Sequence, residues 1–193
     1  MQYSGTWKEI WTQKGEMEGG KEDIIIYDGW EKSQISIDKI ALKIKEVVHA
    51  SKEKRILEVG CGAGGVLQFF EGDIVGVDFS RPLTKKCMEF FQIPAIYAEA
   101  NDLPFREDYF DICVSWGVFL YFPSLEYASE VIAEMLRVTS NAGTIFIGDI
   151  PLSSHSNRHL TYTKEWFESK GFKTMRGWAE PYCEQRFNAI LER

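Results

Sequence analysis

From Arg55 to Gly65 the chain reads Arg-Ile-Leu-Glu-Val-Gly-Cys-Gly-Ala-Gly-Gly, an apolar run that stops in glycines, and Val66-Leu-Gln-Phe-Phe70 resumes an apolar periodicity at once. That pattern predicts strand, tight turn and helix. Glycines at 60, 62 and 64 permit left-handed backbone and let a ligand approach without meeting a Cβ. Unpaired N–H groups at the start of the following helix are expected to face that ligand. Glu58, just before the turn, suits a cationic or hydroxyl-rich ligand and would repel a pyrophosphate.

The rest of the chain alternates. An apolar stripe over Ser33 to Ala50 predicts a helix before the glycine strand. Beyond the loop, Ile74 to Asp78 reads as a second strand, Pro82 opens a helix to about Phe91, and Ala95 to Glu99 reads as a third strand. Phe110 to Trp116 is the fourth, Ser124 to Val138 a helix with Leu125, Ala128, Val131, Ile132, Met135 and Leu136 inward, and Asn141-Ala-Gly143 a turn before a fifth strand ending at Asp149. A helix near Thr163 to Lys170 and strands near Phe172–Trp178 and Gln185–Leu191 follow. Near-continuous apolar strands separated by helices argue an α/β fold with a parallel sheet. The short link between the last two strands predicts antiparallel pairing at the C-terminal edge.

A chain of 193 residues with 45% apolar content can bury one substantial core. Residues 35–193 are read as one domain. Residues 1–34 carry Tyr3, Trp7, Trp11, Tyr27 and Trp30, more aromatic surface than a disordered tail holds, and are read as a lid or extension. The net charge of −7 offers no field for nucleic acid or anionic lipid, and neither is expected as a partner. Four cysteines without CxxC spacing point to reduced thiols in a cytoplasmic protein, with no metal site. No stretch reaches the length of a membrane span, and the first residues lack the apolar core of a signal peptide.

In an open α/β sheet, ligands bind beyond the carboxyl ends of the strands. Those ends carry Glu58 with the glycines, Asp78, Glu99, Trp116 and Asp149. Asp78 is spaced to accept hydrogen bonds from a ribose diol, and Glu99 to accept from an exocyclic amino group, with Phe79 and Leu103 around the base. The loop and Glu58 are left to hold an amino-acid tail. Together they describe an adenosine with a zwitterionic tail and no phosphates.

These residues resemble the class I S-adenosylmethionine-dependent methyltransferases, in their small-molecule branch. Glu58 to Gly65 is similar to the family's first motif, and Val77-Asp-Phe-Ser80 to its second, where the acid holds the ribose. Ala98-Glu-Ala-Asn-Asp-Leu-Pro-Phe105 resembles the Gly-Asp-Ala-x-x-Leu-Pro-Phe loop, with Glu99 and Ala98 in place of the usual Asp and Gly. Phe110 to Gly117 resembles the fourth-strand motif. Leu136 to Gly143 resembles the Leu-Lys-Pro-Gly-Gly turn without its proline and one glycine. The resemblance covers roughly residues 52–193. It implies a Rossmann-like, seven-stranded, mostly parallel sheet with helices on both faces, and S-adenosylmethionine held by Glu58, Gly60, Cys61, Gly62, Asp78, Phe79, Glu99, Ala100, Ser115 and Trp116.

Methyl transfer from a sulfonium rests on positioning and exclusion of water, so a base is optional. If one serves, Asp149, His155 and His159 are the candidates, with Asp149 and His155 preferred. Trp116 is placed for a cation contact. Tyr121 and Phe122 are expected to line an acceptor pocket that Tyr27 and Trp30 close. Ser115-Trp-Gly-Val118 differs from the Asn/Asp-Pro-Pro-Tyr signature of methyltransferases acting on nucleic-acid bases, which favours a small-molecule or carrier-linked acceptor, methylated on oxygen or nitrogen by a monomer or homodimer. Two alternatives stand beside this reading. One is a non-catalytic S-adenosylmethionine-binding domain; the other is an NAD-dependent dehydrogenase, since Gly60-x-Gly62-x-x-Gly65 also fits the dinucleotide fingerprint.

Overall fold

The computed structural model describes residues 6–31, 36–152, 159–178 and 181–193. Helices α1 (Trp7–Glu16), α2 (Ile24–Tyr27) and α3 (Ile37–Val47) precede strand β1 (Arg55–Val59). Then come β2 (Asp73–Asp78), α4 (Arg81–Phe91), β3 (Ala95–Tyr97), β4 (Phe110–Trp116) and α5 (Leu125–Val138). The chain ends with β5 (Thr139–Pro151), α6 (Lys164–Glu168), β6 (Lys173–Arg176) and β7 (Arg186–Glu192).

Seven strands form one sheet in the order β3-β2-β1-β4-β5-β7-β6. Pairing is parallel from β3 to β5, and β7 runs antiparallel to both β5 and β6. The chain winds outward from β1 to β3, then returns to lay β4 on the other side of β1. Strand order therefore reverses between β1 and β4, and the crevice at their carboxyl ends is where such a sheet accepts a ligand.

The period-two alternation of strands explains the two cores. Ile56, Ile112, Val114, Trp116 and Phe146 turn to one face, where Ile37, Ile40, Ala41 and Ile44 of α3 cover them. Leu57, Val59, Cys113, Ile145 and Ile147 turn to the other, against α5 and Phe167 of α6. Helices thus flank both faces. Ser124 caps α5 by accepting the Tyr127 N–H at 3.2 Å, and Pro82 lies in the first turn of α4, where a missing N–H costs nothing.

The described part of the N-terminal extension is packed helix. Thr6 and Glu9 close a capping box at the start of α1. The helix then lies so close to α4 that a Cβ at Gly15 would stand 2.8 Å from Pro82 Cβ. Trp11, Met17 and Ile24 pack around buried Tyr27, Ala63 and Leu83, which accounts for the aromatic load of this segment.

Four local expectations change. Val66 to Phe70 makes only a 3-10 turn, Leu67–Phe69, where the sequence predicts a helix. The predicted turn at 141–143 is a bulge inside β5: Thr139 pairs with Phe110 and Thr144 with Ile112, and residues 140–143 stand out between them. On α5, Leu125 is exposed, and Val138 completes the buried stripe. Helix α3 begins at Ile37, with residues 32–35 outside the described set.

Candidate functional site

A cavity of about 1070 Å³, its open mouth included, lies at the β1/β4 reversal. Its floor is the glycine loop. The N–H groups of Gly60 and Cys61 donate to Val77 O at 2.7 and 3.0 Å, and that of Gly62 donates to Asp78 Oδ2 at 3.0 Å. The next two go to an unexpected partner: Ala63 N–H and Gly65 N–H donate to Asp28 Oδ1 and Oδ2, each at 2.7 Å. Gly62 takes φ +53, and a Cβ there would lie 2.4 Å from Asp28 Oδ1, so this approach requires glycine. Asp28 follows the buried Tyr27 at the end of α2, whose packing fixes where the carboxylate falls.

That arrangement removes the dinucleotide alternative. The N–H groups a pyrophosphate would need are occupied by an internal carboxylate, and a 3-10 turn supplies little of the helix-terminus field that holds phosphate. The expectation that free N–H groups face the ligand is corrected on the same ground.

Three carboxyls crowd the floor. Burial raises Asp28 to about 7, against the lowering effect of its two backbone N–H donors. Burial raises Asp78 to about 6, with Ser80 and Gly62 N–H groups opposing it. Glu58 is held well above the ordinary carboxylate range, by burial first and then by the charges of Asp28, Cys87 and Asp78. Glu58 Oε2 has no hydrogen-bond partner among the described residues although the side chain is buried and lines the cavity. A buried, unpartnered carboxylate oxygen is costly unless a cationic donor reaches it. The ammonium of an amino-acid tail is such a donor, and the site fits S-adenosylmethionine in this respect.

Further along the wall lie Phe79, Glu99 and Ala100, with Lys8 and Trp11 of α1 also lining the cavity. Lys8 Nζ donates to Glu99 Oε1 at 2.5 Å, and Tyr127 OH to Glu99 Oε2 at 3.1 Å. Past Gly60, the wall is Trp30, Trp116, Gly117, Val118, Tyr121 and Phe122. Trp7 and Trp11 meet the Tyr121 ring edgewise at 4.7 and 5.1 Å, joining α1 to the segment after β4.

Of the residues singled out in the sequence, Glu58, Gly60, Cys61, Gly62, Asp78, Phe79, Glu99, Ala100 and Trp116 share this one cavity. Ser115 does not: strand alternation turns it away from Trp116, and it is fully buried with Oγ unpartnered among the described residues. Leu103 sits in the main core instead of beside a base, because Glu134 and Arg137 pin its backbone there. Tyr27 packs on Phe90 beneath the loop and closes nothing. Asp149 stands just behind Gly117, and burial raises it to about 6 against the lowering effect of Arg186. His155 lies outside the described residues, while His159 stacks on Trp7 at 5.3 Å. Lys8, Asp28 and Tyr127 were not anticipated. Asp28 reaches the loop across 35 residues of sequence, and no local periodicity announces it.

Fold and site together define a nucleoside-binding α/β domain built for a ligand with a cationic tail. The chain matches the methyltransferase domain family over residues 57–147. It is 32% identical over 154 residues to an uncharacterised protein of Methanocaldococcus jannaschii, covering 76% of this chain and 67% of that one. A tRNA (carboxymethyluridine(34)-5-O)-methyltransferase of Arabidopsis thaliana is 33% identical over 124 residues, 58% of this chain and 30% of that protein. The crystal structure of magnesium protoporphyrin IX methyltransferase from Synechocystis with bound S-adenosylmethionine superposes with a TM-score of 0.63 at 13% identity, covering 100% of both chains. The chain belongs to the class I S-adenosylmethionine-dependent methyltransferases. It spans less than half the length of several curated relatives that it matches. No helix among the described residues is long and apolar enough to cross a membrane.

Proposed function

We propose that this chain transfers a methyl group from S-adenosylmethionine to oxygen or nitrogen of a small molecule or carrier-linked metabolite, acting in the cytoplasm as a monomer or homodimer. The observation that carries the reading is the buried Glu58 Oε2, unpartnered at the floor of a cavity that also holds Asp78 and Glu99. Glu58 takes the ammonium, Asp78 the ribose hydroxyls, and Phe79, Glu99 and Ala100 the adenine, while Gly60, Cys61 and Gly62 offer close backbone. Bound there, the cofactor supplies an electrophilic methyl on a good leaving group. The chain's own residues orient, enclose and keep water out.

Residues 1–34 act as a lid in this reading, with Trp7, Lys8 and Trp11 over the cavity. A small acceptor is favoured over tRNA, the acceptor named for three relatives, because a net charge of −7 repels polyanions and the extension's Trp7, Lys8 and Trp11 line the cavity.

Calorimetry tests the reading. S-adenosylmethionine should bind and NAD should not, with Glu58→Leu weakening the cofactor at least tenfold. Absence of cofactor binding at millimolar ligand would sink the proposal. Transfer of radiolabelled methyl to a panel of hydroxyl and amine metabolites, with tRNA as a parallel arm, then decides the acceptor class.

A further inference from the structure

Asp149 holds φ +59, a left-handed backbone that residues other than glycine rarely adopt. Its cause lies in the pairing of β5 with β7. Ile147 faces Ala189 and Ile150 faces Phe187, so Gly148 and Asp149 together stand against the single residue Asn188. This is a β-bulge, a device that re-aims a side chain.

Neighbouring strands hold the bulge in place. Asn188, fully buried, accepts the Asp149 N–H at 3.0 Å through Oδ1 and donates through Nδ2 to Arg176 O of β6 at 3.1 Å. Arg186, only 5% exposed, donates through Nη1 to Asp149 O at 3.1 Å. The same Nη1 lies 3.6 Å from Asp149 Oδ2, too far for a good hydrogen bond. Arg186 thus fastens the backbone and is the ion-pair partner of the carboxylate without hydrogen-bonding it. A strained residue secured by buried polar groups on other strands is where a fold gives up local comfort for function.

The carboxylate is aimed at a gap. A Cβ built at Gly117 would have a single neighbour within reach among the described residues, Asp149 Oδ2 at 4.0 Å, and Gly117 lines the cavity. The missing side chain leaves a window between acid and cavity. Among the described residues, the charged and titratable groups around Asp149 are Arg186 on β7 and Tyr121 on the cavity wall, with Glu31 and His159 near Tyr121.

We propose that Asn188 and Arg186 are positioning residues that hold Asp149, through the Gly117 window, as the proton acceptor for a neutral hydroxyl or amine, and that the acceptor is not a carboxylate. The inference rests on the S-adenosylmethionine reading above. Methylating a hydroxyl leaves one proton to remove: the O–H bond breaks with its electron pair kept on oxygen, and the proton passes to Asp149. The new O–C bond uses an oxygen lone pair, and the broken C–S pair stays on sulfur. A carboxylate has no proton to give and would meet the charge of Asp149.

Carbon-13 NMR of the full chain, labelled at aspartate carboxyls, tests this without knowing the acceptor. Asp149→Asn identifies the resonance. With saturating S-adenosylhomocysteine, Asp149 should titrate near 6. With S-adenosylmethionine the midpoint should fall by about half a pH unit or more, because the sulfonium charge favours the carboxylate facing it. Asn188→Ala should drop the midpoint toward the ordinary value of about 4 and erase the difference between the two ligands, whereas Arg186→Lys should preserve both. Equal wild-type midpoints with the two ligands, or an Asn188→Ala midpoint that does not move, would overturn the assignment of Asp149 alone. Failure of both ligands to bind by calorimetry would overturn this inference together with the reading on which it rests.

Discussion

The carboxylate of Asp28 accepts the N–H of Gly65 at 2.7 Å, and the extension and the glycine loop are joined by that bond and its companion to Ala63. The loop's shape therefore depends on residues well before the first strand. Replacing Asp28 by Ala strands two buried N–H donors that a charged acceptor had satisfied. The expected loss is on the order of 2–4 kcal/mol in urea unfolding, with S-adenosylmethionine affinity down at least tenfold. Asp28→Asn, which keeps one oxygen acceptor, should recover part of both. An Asp28→Ala chain with wild-type unfolding and affinity would mean the loop is stable without its clasp.

Stability and binding should respond to pH in opposite directions. Asp28 and Asp78 titrate at about 7 and about 6, above their unfolded value of 3.8. The folded state therefore holds more protons than the unfolded state between those values, and this contribution to stability is present below pH ~4 and lost as pH rises toward ~7. Asp111 and Glu134 act the other way, lowered by hydrogen bonds from Arg55 and Arg137, and their contribution fades only as pH falls below ~4. Urea midpoints of the cofactor-free chain should be higher near pH 5 than near pH 8. A cationic ligand favours the ionised acids, so S-adenosylmethionine should bind more tightly at about pH 8 and release protons, read as a buffer-dependent binding enthalpy. Equal enthalpies in buffers of different ionisation heat would contradict the linkage.

The sheet was legible because β1 and β4 are buried on both faces and read as unbroken apolar runs, and because a glycine turn after such a strand marks the rim. What did not show is nonlocal. The apolar spacing of Val66 to Phe70 suits a helix, yet Gly72 turns the chain at φ +99 with room for nothing beyond its own hydrogens against Lys52 O. So few residues cannot repay helix nucleation, and a 3-10 turn results. Leu103 differs from its expected place for a similar reason: its motif resembles a cofactor loop, but its position is set by Glu134 and Arg137 on α5, about thirty residues away. The acids at the strand ends were readable from strand boundaries alone. The bulge at Asp149 was not, since it follows from the partner strand.

Arg137 ties that loop to α5. It donates to Phe105 O at 2.7 Å and Leu103 O at 2.9 Å, while Glu134 Oε2 accepts the Leu103 N–H at 2.8 Å. Arg137→Met should keep the aliphatic stem and free two carbonyls, at a cost of about 1–3 kcal/mol. Hydrogen exchange at Leu103 should quicken tenfold or more, more than at core amides of β4. Uniform acceleration across the sheet would point to global loosening instead.

Lys8 and Glu99 bridge α1 to the end of β3, but both side chains are substantially exposed, at 62% and 42%. Such a pair is worth less than about 1 kcal/mol, so Lys8→Ala should barely move the unfolding midpoint. Its effect should appear in kinetics, because both residues line the cavity and the bridge ties α1 to the chain beyond β3. Stopped-flow displacement should show faster cofactor release, and the difference from wild type should shrink at high salt. An unchanged release rate would remove α1 from any part in gating.

Trp116 separates two roles that the sequence left open, a face for a cation or a part of the wall. It is 7% exposed and lies nearly parallel to Phe146, Trp178 and Trp30, with ring centroids 6.3, 5.9 and 6.4 Å away. Phe146 and Trp178 are themselves 5.3 Å apart, so the three rings form a cluster that Trp30 of the extension joins, and Gly148 is small beside it, since a Cβ there would collide with the Trp116 ring. Packing on this scale makes Trp116→Ala a cavity mutation costing about 3–5 kcal/mol, with loss of near-ultraviolet dichroism from the stacked tryptophans. Trp116→Phe keeps an aromatic face but a smaller one. If Trp116 serves as wall, the Phe variant should lose stability by about 1–2 kcal/mol and retain cofactor affinity within about threefold. If its face stabilises the sulfonium, affinity for S-adenosylmethionine should fall while that for neutral S-adenosylhomocysteine holds. The burial of Trp116 among three aromatic rings favours the first outcome.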